Sequence, residues 1–141
     1  MEESLKYTFN KEERLYHKQH FDQLLASGES FVVYPLRVIF RISERLTGLS
    51  PARVAISVPK KRFKRAVKRN RIKRLIREAY RLQKPQLYAG LPADKTVDML
   101  FIYLHESVAK YPKFEKAIGD VIKKILLHVE PTPDGAAAAA N

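Results

Sequence analysis

The sequence contains no cysteine and no long apolar run. Without cysteine the chain has neither disulfides nor thiolate chemistry, which fits a reducing compartment. No apolar stretch approaches the roughly 20 residues that a membrane-spanning helix needs. The acidic and polar start, MEESLKYTFNKEERL, shows no apolar segment typical of a secretory signal. We therefore expect a soluble, cytoplasmic protein.

The usual signatures of a catalytic site are also missing. The chain has no Gly-rich phosphate loop, no GxSxG and no zinc-ribbon pattern. Three acids near an apolar segment could pair as catalytic carboxylates or serve as loop and salt-bridge residues: Asp94, Asp98 and Glu106. Spacing alone does not show the convergent cleft that a hydrolase requires.

The histidines give little support for a metal site. His17 and His20 are three residues apart, as some metal ligands are, but no third ligand lies near them in the sequence. His105 and His128 are isolated. We assign no metal site to the protein.

Length and composition indicate one globular domain. The chain has 141 residues, of which 45% are hydrophobic, with seven Phe and seven Tyr, enough to form a core without disulfides. We expect a flexible arm over residues 1–8, a folded domain over 9–130 and a disordered tail over 131–141, where GAAAAAN is of low complexity.

Positive charge is concentrated between Lys60 and Arg81. This segment holds twelve cationic side chains and one acid, Glu78, and so carries +11 of the formal net charge of +12. So local a positive field is typical of a protein that binds a polyanion, most often nucleic acid. The cations are Lys60, Lys61, Arg62, Lys64, Arg65, Lys68, Arg69, Arg71, Lys73, Arg74, Arg77 and Arg81.

Helical periodicity within this segment predicts a rigid surface and not a disordered basic tail. An apolar stripe at positions i, i+3, i+4 and i+7 consists of Ile72, Leu75, Ile76 and Ala79. The opposite side carries Asn70, Arg74, Arg77 and Arg81, flanked by Arg71 and Lys73, with Lys68 and Arg69 near the edge of the stripe. We predict a helix from about Lys64 to Leu82 that stops at Pro85.

Patterning predicts the remaining elements of a single α+β domain. A first helix ends at Gly28 as a left-handed stop and buries Phe21, Leu24 and Leu25. Strands follow over residues 31–34, 36–42 and 54–58, the second with Arg37, Ile39 and Arg41 on its outer face. After the basic helix come a loop (86–95), an apolar central strand (97–104) and a helix opened by Pro112, with the apolar stripe Phe114, Ala117, Ile118, Val121, Ile122 and Ile125. The order is αβββαβα.

At KRAVKRNRIKRLIREAYR the sequence resembles the protein subunits of bacterial ribonuclease P. The core of the resemblance is RNRIKR, residues 69–74, followed by Arg77. It is supported by Arg53-Val54, by SVPKK at 57–61, by Ala66-Val67 and by Phe21 seven residues before Gly28. The resemblance covers roughly Leu15 to Val129. It implies a single-domain α-β sandwich of the ribosomal protein S5 domain 2-like type, with a left-handed βαβ crossover, an exception to the usual hand.

The resemblance also implies a site. Residues expected to contact RNA are Lys60, Lys61, Lys68, Arg69, Asn70, Arg71, Lys73, Arg74, Arg77 and Arg81. A cleft for single-stranded leader would be lined by Phe21, Leu25, Arg37, Ile39, Arg41 and Ser57. Members of the family often have aromatic residues where this chain has Leu25 and Ile39, so Phe63 could supply an aromatic to the cleft.

The implied function is that of a noncatalytic protein subunit. Its partners would be the catalytic RNA of ribonuclease P and precursor tRNA, whose 5′ leader the holoenzyme removes. The RNA would perform the hydrolysis with Mg²⁺, and the protein itself would bind no cofactor. The alternatives are a structural RNA-binding protein such as a ribosomal protein, a protein-only nuclease using Asp94, Asp98 or a histidine, and a duplex-DNA reader.

Overall fold

A computed structural model of the chain describes residues 18–45 and 50–129. The elements in chain order are α1 (Lys18–Ser27), β1 (Glu29–Val33), β2 (Leu36–Glu44), β3 (Ala52–Ser57), α2 (Ala66–Gly90), β4 (Lys95–Tyr103) and α3 (Tyr111–Val129). The predicted α+β class and the order αβββαβα are confirmed. The expected arm (1–8) and tail (131–141) lie outside the described residues.

The four strands form one sheet in the order β1-β2-β4-β3. β2 is antiparallel to both β1 and β4, whereas β3 and β4 are parallel neighbours. β4 therefore lies between two strands and is buried along nearly its whole length, as its almost continuously apolar sequence predicts. The connection from β3 through α2 to β4 is the expected parallel crossover, and its left hand remains a prediction from the resemblance.

One face of the sheet, which we call the inner face, packs against α2 and α3 and contains the main core. Alternation places Val38, Phe40, Met99, Phe101 and Val54 on this face. The six predicted stripe residues of α3 are all buried, which confirms that helix; Pro112 lies in its first turn. None of the described helices is both long and apolar enough to cross a bilayer.

The opposite, outer face is more open and is covered in part by α1. Strand register places three rows of side chains across it: Arg37, Ile102 and Ser57; Ile39, Leu100 and Ala55; and Arg41, Asp98 and Arg53. Leu24 of α1 is fully buried against the middle row. Leu25, which we expected on the same buried face, is 52% exposed, because one residue along a helix turns the side chain by about 100°.

The basic helix is longer than the sequence predicted. α2 continues through Pro85 to Gly90, so the expected stop at Pro85 is wrong, and so is most of the expected loop at 86–95. Proline inside a helix loses a backbone hydrogen bond, but the turn beyond it places Leu87 in the core. Gln83 also ties α2 to α3 by donating a hydrogen bond to the carbonyl of Glu115. Tertiary packing therefore overrides the local preference of proline.

Gly28 ends α1, but not through the left-handed conformation that we expected. Its N–H donates to the carbonyl oxygen of Leu24 at 2.8 Å. A Cβ at this position would lie 2.5 Å from that oxygen and 2.9 Å from the carbonyl oxygen of Phe40. Glycine is required here because a side chain would meet the last turn of α1 and the neighbouring backbone of β2, and not because of a left-handed φ angle.

Candidate nucleic-acid interface

The apolar side of α2 fixes the cationic helix to the sheet. Ile72, Ile76 and Ala79 are fully buried, as their spacing predicts. The Tyr80 ring packs edge-on against Phe101 of β4, with 6.0 Å between the centroids. Since this side is clamped to the inner face of the sheet and to α3, the opposite side of α2 must face outward.

The outward side of α2 carries the predicted line of polar and cationic residues. Asn70, Arg71, Arg74 and Arg77 are exposed, together with Lys68 in the first turn. Lys73, Arg69 and Arg81 are half-buried. Lys60 and Lys61 are exposed in the turn that connects β3 to α2. The cations thus form a fixed surface rather than a coil, with guanidinium groups suited to forked hydrogen bonds with phosphates.

Arg69 has a structural role that the sequence did not suggest. Its guanidinium donates hydrogen bonds to the carbonyl oxygens of Phe63, at 2.6 Å, and Lys64, at 3.0 Å. The N-cap residue Arg65 makes no side-chain capping bond, so Arg69 supplies the contact that joins the entering loop to the helix. Only the remainder of its donors is available for other contacts.

Arg81 is paired with the one acid of the segment. Its guanidinium binds the carboxylate of Glu78 one turn away, with 2.6 Å between Nη2 and Oε2. This hydrogen bond lowers the pKa of Glu78 below its ordinary value and raises the pKa of Arg81. The one acid of the segment therefore offsets positive charge at the far end of the cationic line.

The outer face of the sheet contains the residues assigned to the cleft. Arg37 is exposed, while Ile39, Arg41 and Ser57 are half-buried. Leu25 adds an exposed apolar side chain from α1. The structure thus brings the strand residues together on one face, against which α1 packs through Leu24. Phe21 lies on α1, but its side chain is outside what the structure describes.

Phe63 does not contribute an aromatic ring to this cleft. It is 4% exposed and belongs to the main core. Its ring packs against Tyr103, with centroids 5.9 Å apart. Phe63 therefore anchors the loop before α2 to the inner face, because a phenylalanine in a connecting loop gains more from burial than from exposure to solvent.

One of the three candidate carboxylates is a structural partner. Asp98 on β4 forms a bidentate ion pair with Arg53 on β3, with distances of 2.8 Å and 3.0 Å. Both side chains are almost fully buried. The sequence does contain a signal for this pair. Arg53 and Asp98 lie in two strands at positions that alternation directs to the same face, and they carry opposite charges. Asp94 and Glu106 are exposed, and the described residues contain no group of three or more metal-ligating side chains.

Two histidines have defined partners. His105 Nδ1 is hydrogen-bonded to the hydroxyl of Tyr34 at 2.6 Å. His128 on α3 packs edge-on against Phe40, with centroids 5.0 Å apart, and its Nδ1 lies 3.0 Å from the carbonyl oxygen of Lys124. The side chains of His17 and His20 lie outside the described part of the chain.

Comparison with known proteins identifies close sequence relatives. The family model described as Ribonuclease P matches residues 9–126. A ribonuclease P protein component of Porphyromonas gingivalis is 52% identical over 79 residues, which cover 55% of this chain and 56% of the relative. One from Vibrio cholerae is 40% identical over 81 residues, covering 57% of this chain and 65% of the relative. Each match thus spans less than two thirds of the relative's length.

Solved structures share the fold at lower identity. The RNase P protein of Thermotoga maritima in complex with 1-(4-fluorophenyl)-2-thiourea superimposes with a TM-score of 0.61 and 23% identity, over 79% of this chain and 98% of that one. A Staphylococcus aureus RNase P protein, a mutant with defective mRNA degradation activity, gives a TM-score of 0.63 at 22% identity, over 82% and 89%. These likenesses support the α+β architecture.

Proposed function

This chain belongs to the Ribonuclease P protein family, and we propose that it acts as the noncatalytic protein subunit of ribonuclease P. In this role it binds the catalytic RNA and the 5′ leader of precursor tRNA, and it assists endonucleolytic removal of the leader in the cytoplasm. The observation that carries the proposal is the outward cationic line of α2, held rigidly by a buried apolar side.

The cationic line is suited to contact a folded RNA. Its exposed arginines lie on one helix, so they can bind phosphates without first losing the conformational freedom of a flexible tail. Phosphate binding by such groups releases counterions, and the affinity consequently falls with salt. The residues that we assign to this contact are Lys60, Lys61, Lys68, Arg69, Asn70, Arg71, Lys73, Arg74, Arg77 and Arg81.

The outer face of the sheet is suited to a single strand without fixed sequence. Arg37 and Arg41 lie two positions either side of Ile39 on β2, so two cations flank an apolar surface. Proteins usually hold unpaired strands by binding the phosphates with cations and by packing a few bases on apolar or aromatic faces. We assign this surface, with Phe21 and Leu25 of α1 and Ser57 of β3, to the leader.

The protein's contribution to the reaction is electrostatic and positional. Placing a precursor on the catalytic RNA brings two polyanions together, and the cations on α2 reduce their repulsion. The chemistry of hydrolysis is assigned to the RNA with Mg²⁺. Asp98, the most buried candidate carboxylate in the described chain, is held in an ion pair by Arg53.

Reconstitution with the cognate RNA tests the proposal. Precursor cleavage should be stimulated by the protein at low magnesium, and precursor with a leader should bind more tightly than mature tRNA. Equal binding of the two RNAs would favour a purely structural RNA-binding protein. Cleavage by the purified protein after removal of all RNA would establish a protein-only nuclease instead.

A further inference from the structure

A junction at one end of the sheet holds an exposed aromatic ring beside the cationic segment. The junction consists of Tyr34 and Pro35 in the β1–β2 turn, Arg62 in the loop before α2, and Leu104 and His105 after β4. The N–H of Leu104 donates to the carbonyl oxygen of Pro35 at 2.8 Å. The guanidinium of Arg62 donates to the carbonyl oxygen of Leu104. The turn, the end of β4 and the basic loop are therefore joined directly.

The Tyr34 ring at this junction is exposed but fixed in position. The residue is 56% exposed, yet its hydroxyl is bonded to His105 Nδ1 and its ring stands edge-on to the His105 ring, 5.6 Å away. His105 packs in turn against Tyr103, with centroids 6.4 Å apart. The buried Tyr103 hydroxyl binds the carbonyl of Ser107 and the N–H of Ala109, which fixes the following loop.

The surroundings of Tyr34 favour an anionic ligand with a flat apolar part. Arg37 lies three residues along the chain, and exposed Lys60 and Lys61 precede Arg62 at the same end of the sheet. Glu106 is the acid nearest in sequence on the neighbouring loop. A single exposed tyrosine is ordinary on a protein surface. Here the ring is held by a hydrogen bond, and the same junction contains Arg62 of the basic loop. Aromatic faces close to cationic segments are surfaces on which nucleobases stack.

The direction of β2 connects this ring to the leader surface. From Arg41 through Ile39 to Arg37 the strand covers about 13 Å and leads back toward the β1–β2 turn. We propose that Tyr34 is a stacking site for an unpaired base of the precursor leader, at the point where the strand leaves the outer face. This inference rests on the proposed function and extends the leader contact beyond the cleft residues.

Substitution of Tyr34 in the reconstituted holoenzyme tests the site. Tyr34→Ala should weaken binding of a precursor with a long leader by about 5- to 150-fold, the range for loss of one stacked base. Tyr34→Phe keeps the ring and should stay within about threefold of the parent. Leu127→Ala, which removes a 75% exposed side chain from α3, is the matched control and should have no effect.

The leader length separates this site from the rest of the interface. The Tyr34→Ala defect should disappear with mature tRNA and with a precursor whose leader is cut to one or two nucleotides. A defect of equal size for all three RNAs would overturn the leader assignment, and so would the absence of a defect with the long leader. If the parent protein itself fails to distinguish precursor from mature tRNA, the proposed function falls as well.

A fluorescence measurement gives a second readout that does not depend on affinity. The chain contains no tryptophan, so Tyr34→Trp introduces a single indole at the junction. Long-leader precursor should quench this indole, and mature tRNA should leave it unchanged. Leu127→Trp reports on nonspecific effects and should respond to neither. If the emission of Tyr34→Trp changes equally with long-leader precursor and with mature tRNA, a leader base does not stack at this position.

Discussion

The buried ion pair between Arg53 and Asp98 provides the sharpest test of how the sheet is held together. β3 is an edge strand that pairs only with β4 among the described strands, and this pair joins the two by two hydrogen bonds of 2.8 Å and 3.0 Å. Replacing Asp98 by alanine leaves the Arg53 guanidinium buried without its carboxylate. Removal of one partner of a buried pair costs about 3–5 kcal/mol of unfolding free energy.

The predicted magnitude can be measured by urea unfolding and by thermal denaturation. For a domain of this size, a loss of about 3–5 kcal/mol corresponds to a decrease in Tm of about 10–20 °C. The double variant Arg53→Met with Asp98→Leu removes both charges while filling a similar volume. Its unfolding free energy should therefore lie within about 1 kcal/mol of that of the parent, or above it.

Two results would refute this reasoning. One is an unfolding free energy of Asp98→Ala that is less than about 1 kcal/mol below that of the parent. This would mean that solvent or another group compensates the charge of Arg53. The other is a double variant as unstable as Asp98→Ala alone, which would mean that packing volume and not charge determines the cost.

Three further predictions concern α1 and α2. Gly28→Ala should lower the unfolding free energy by about 1–3 kcal/mol, because the new Cβ would meet two backbone carbonyl oxygens that cannot rotate away; urea unfolding with no loss of stability would contradict this. Pro85→Ala should raise the unfolding free energy by about 1–2 kcal/mol by restoring an N–H inside α2, and a decrease would show that the proline is required. Glu78→Gln should tighten RNA binding at low salt by freeing Arg81 from its ion pair. The lowered pKa of Glu78 means that the pair stabilises the fold above about pH 4.5 and loses this contribution as the pH falls through the lower folded value; this variant should therefore remove part of the acid-dependent change in stability.

Periodicity and strand alternation predicted most of the architecture. The buried stripes of α2 and α3, the outer face of β2 and the central position of β4 all follow from which residues are apolar and at what spacing. These signals were sufficient because each element has one side that must be buried.

The errors occur where distant residues decide the local structure. Pro85 lies within a helix because Leu87 reaches the core. Gly28 is needed because a Cβ there would meet the carbonyl oxygens of Leu24 and, across on β2, Phe40. Phe63 is buried against Tyr103, a contact between residues 40 positions apart. The structural roles of Arg53 and Arg69 also depend on tertiary contacts, so their charge alone suggested RNA binding or no role.

The salt dependence of RNA binding tests the central claim, that the outward side of α2 binds phosphates. With about six phosphates neutralised, a plot of log affinity against log salt should have a slope of about −4 to −5. Arg74→Gln, which removes one exposed charge from α2, should make that slope shallower by about 1. Lys123→Gln removes one exposed charge from α3 and should leave the slope unchanged. A parent slope near zero, or the same slope change in both variants, would contradict the account.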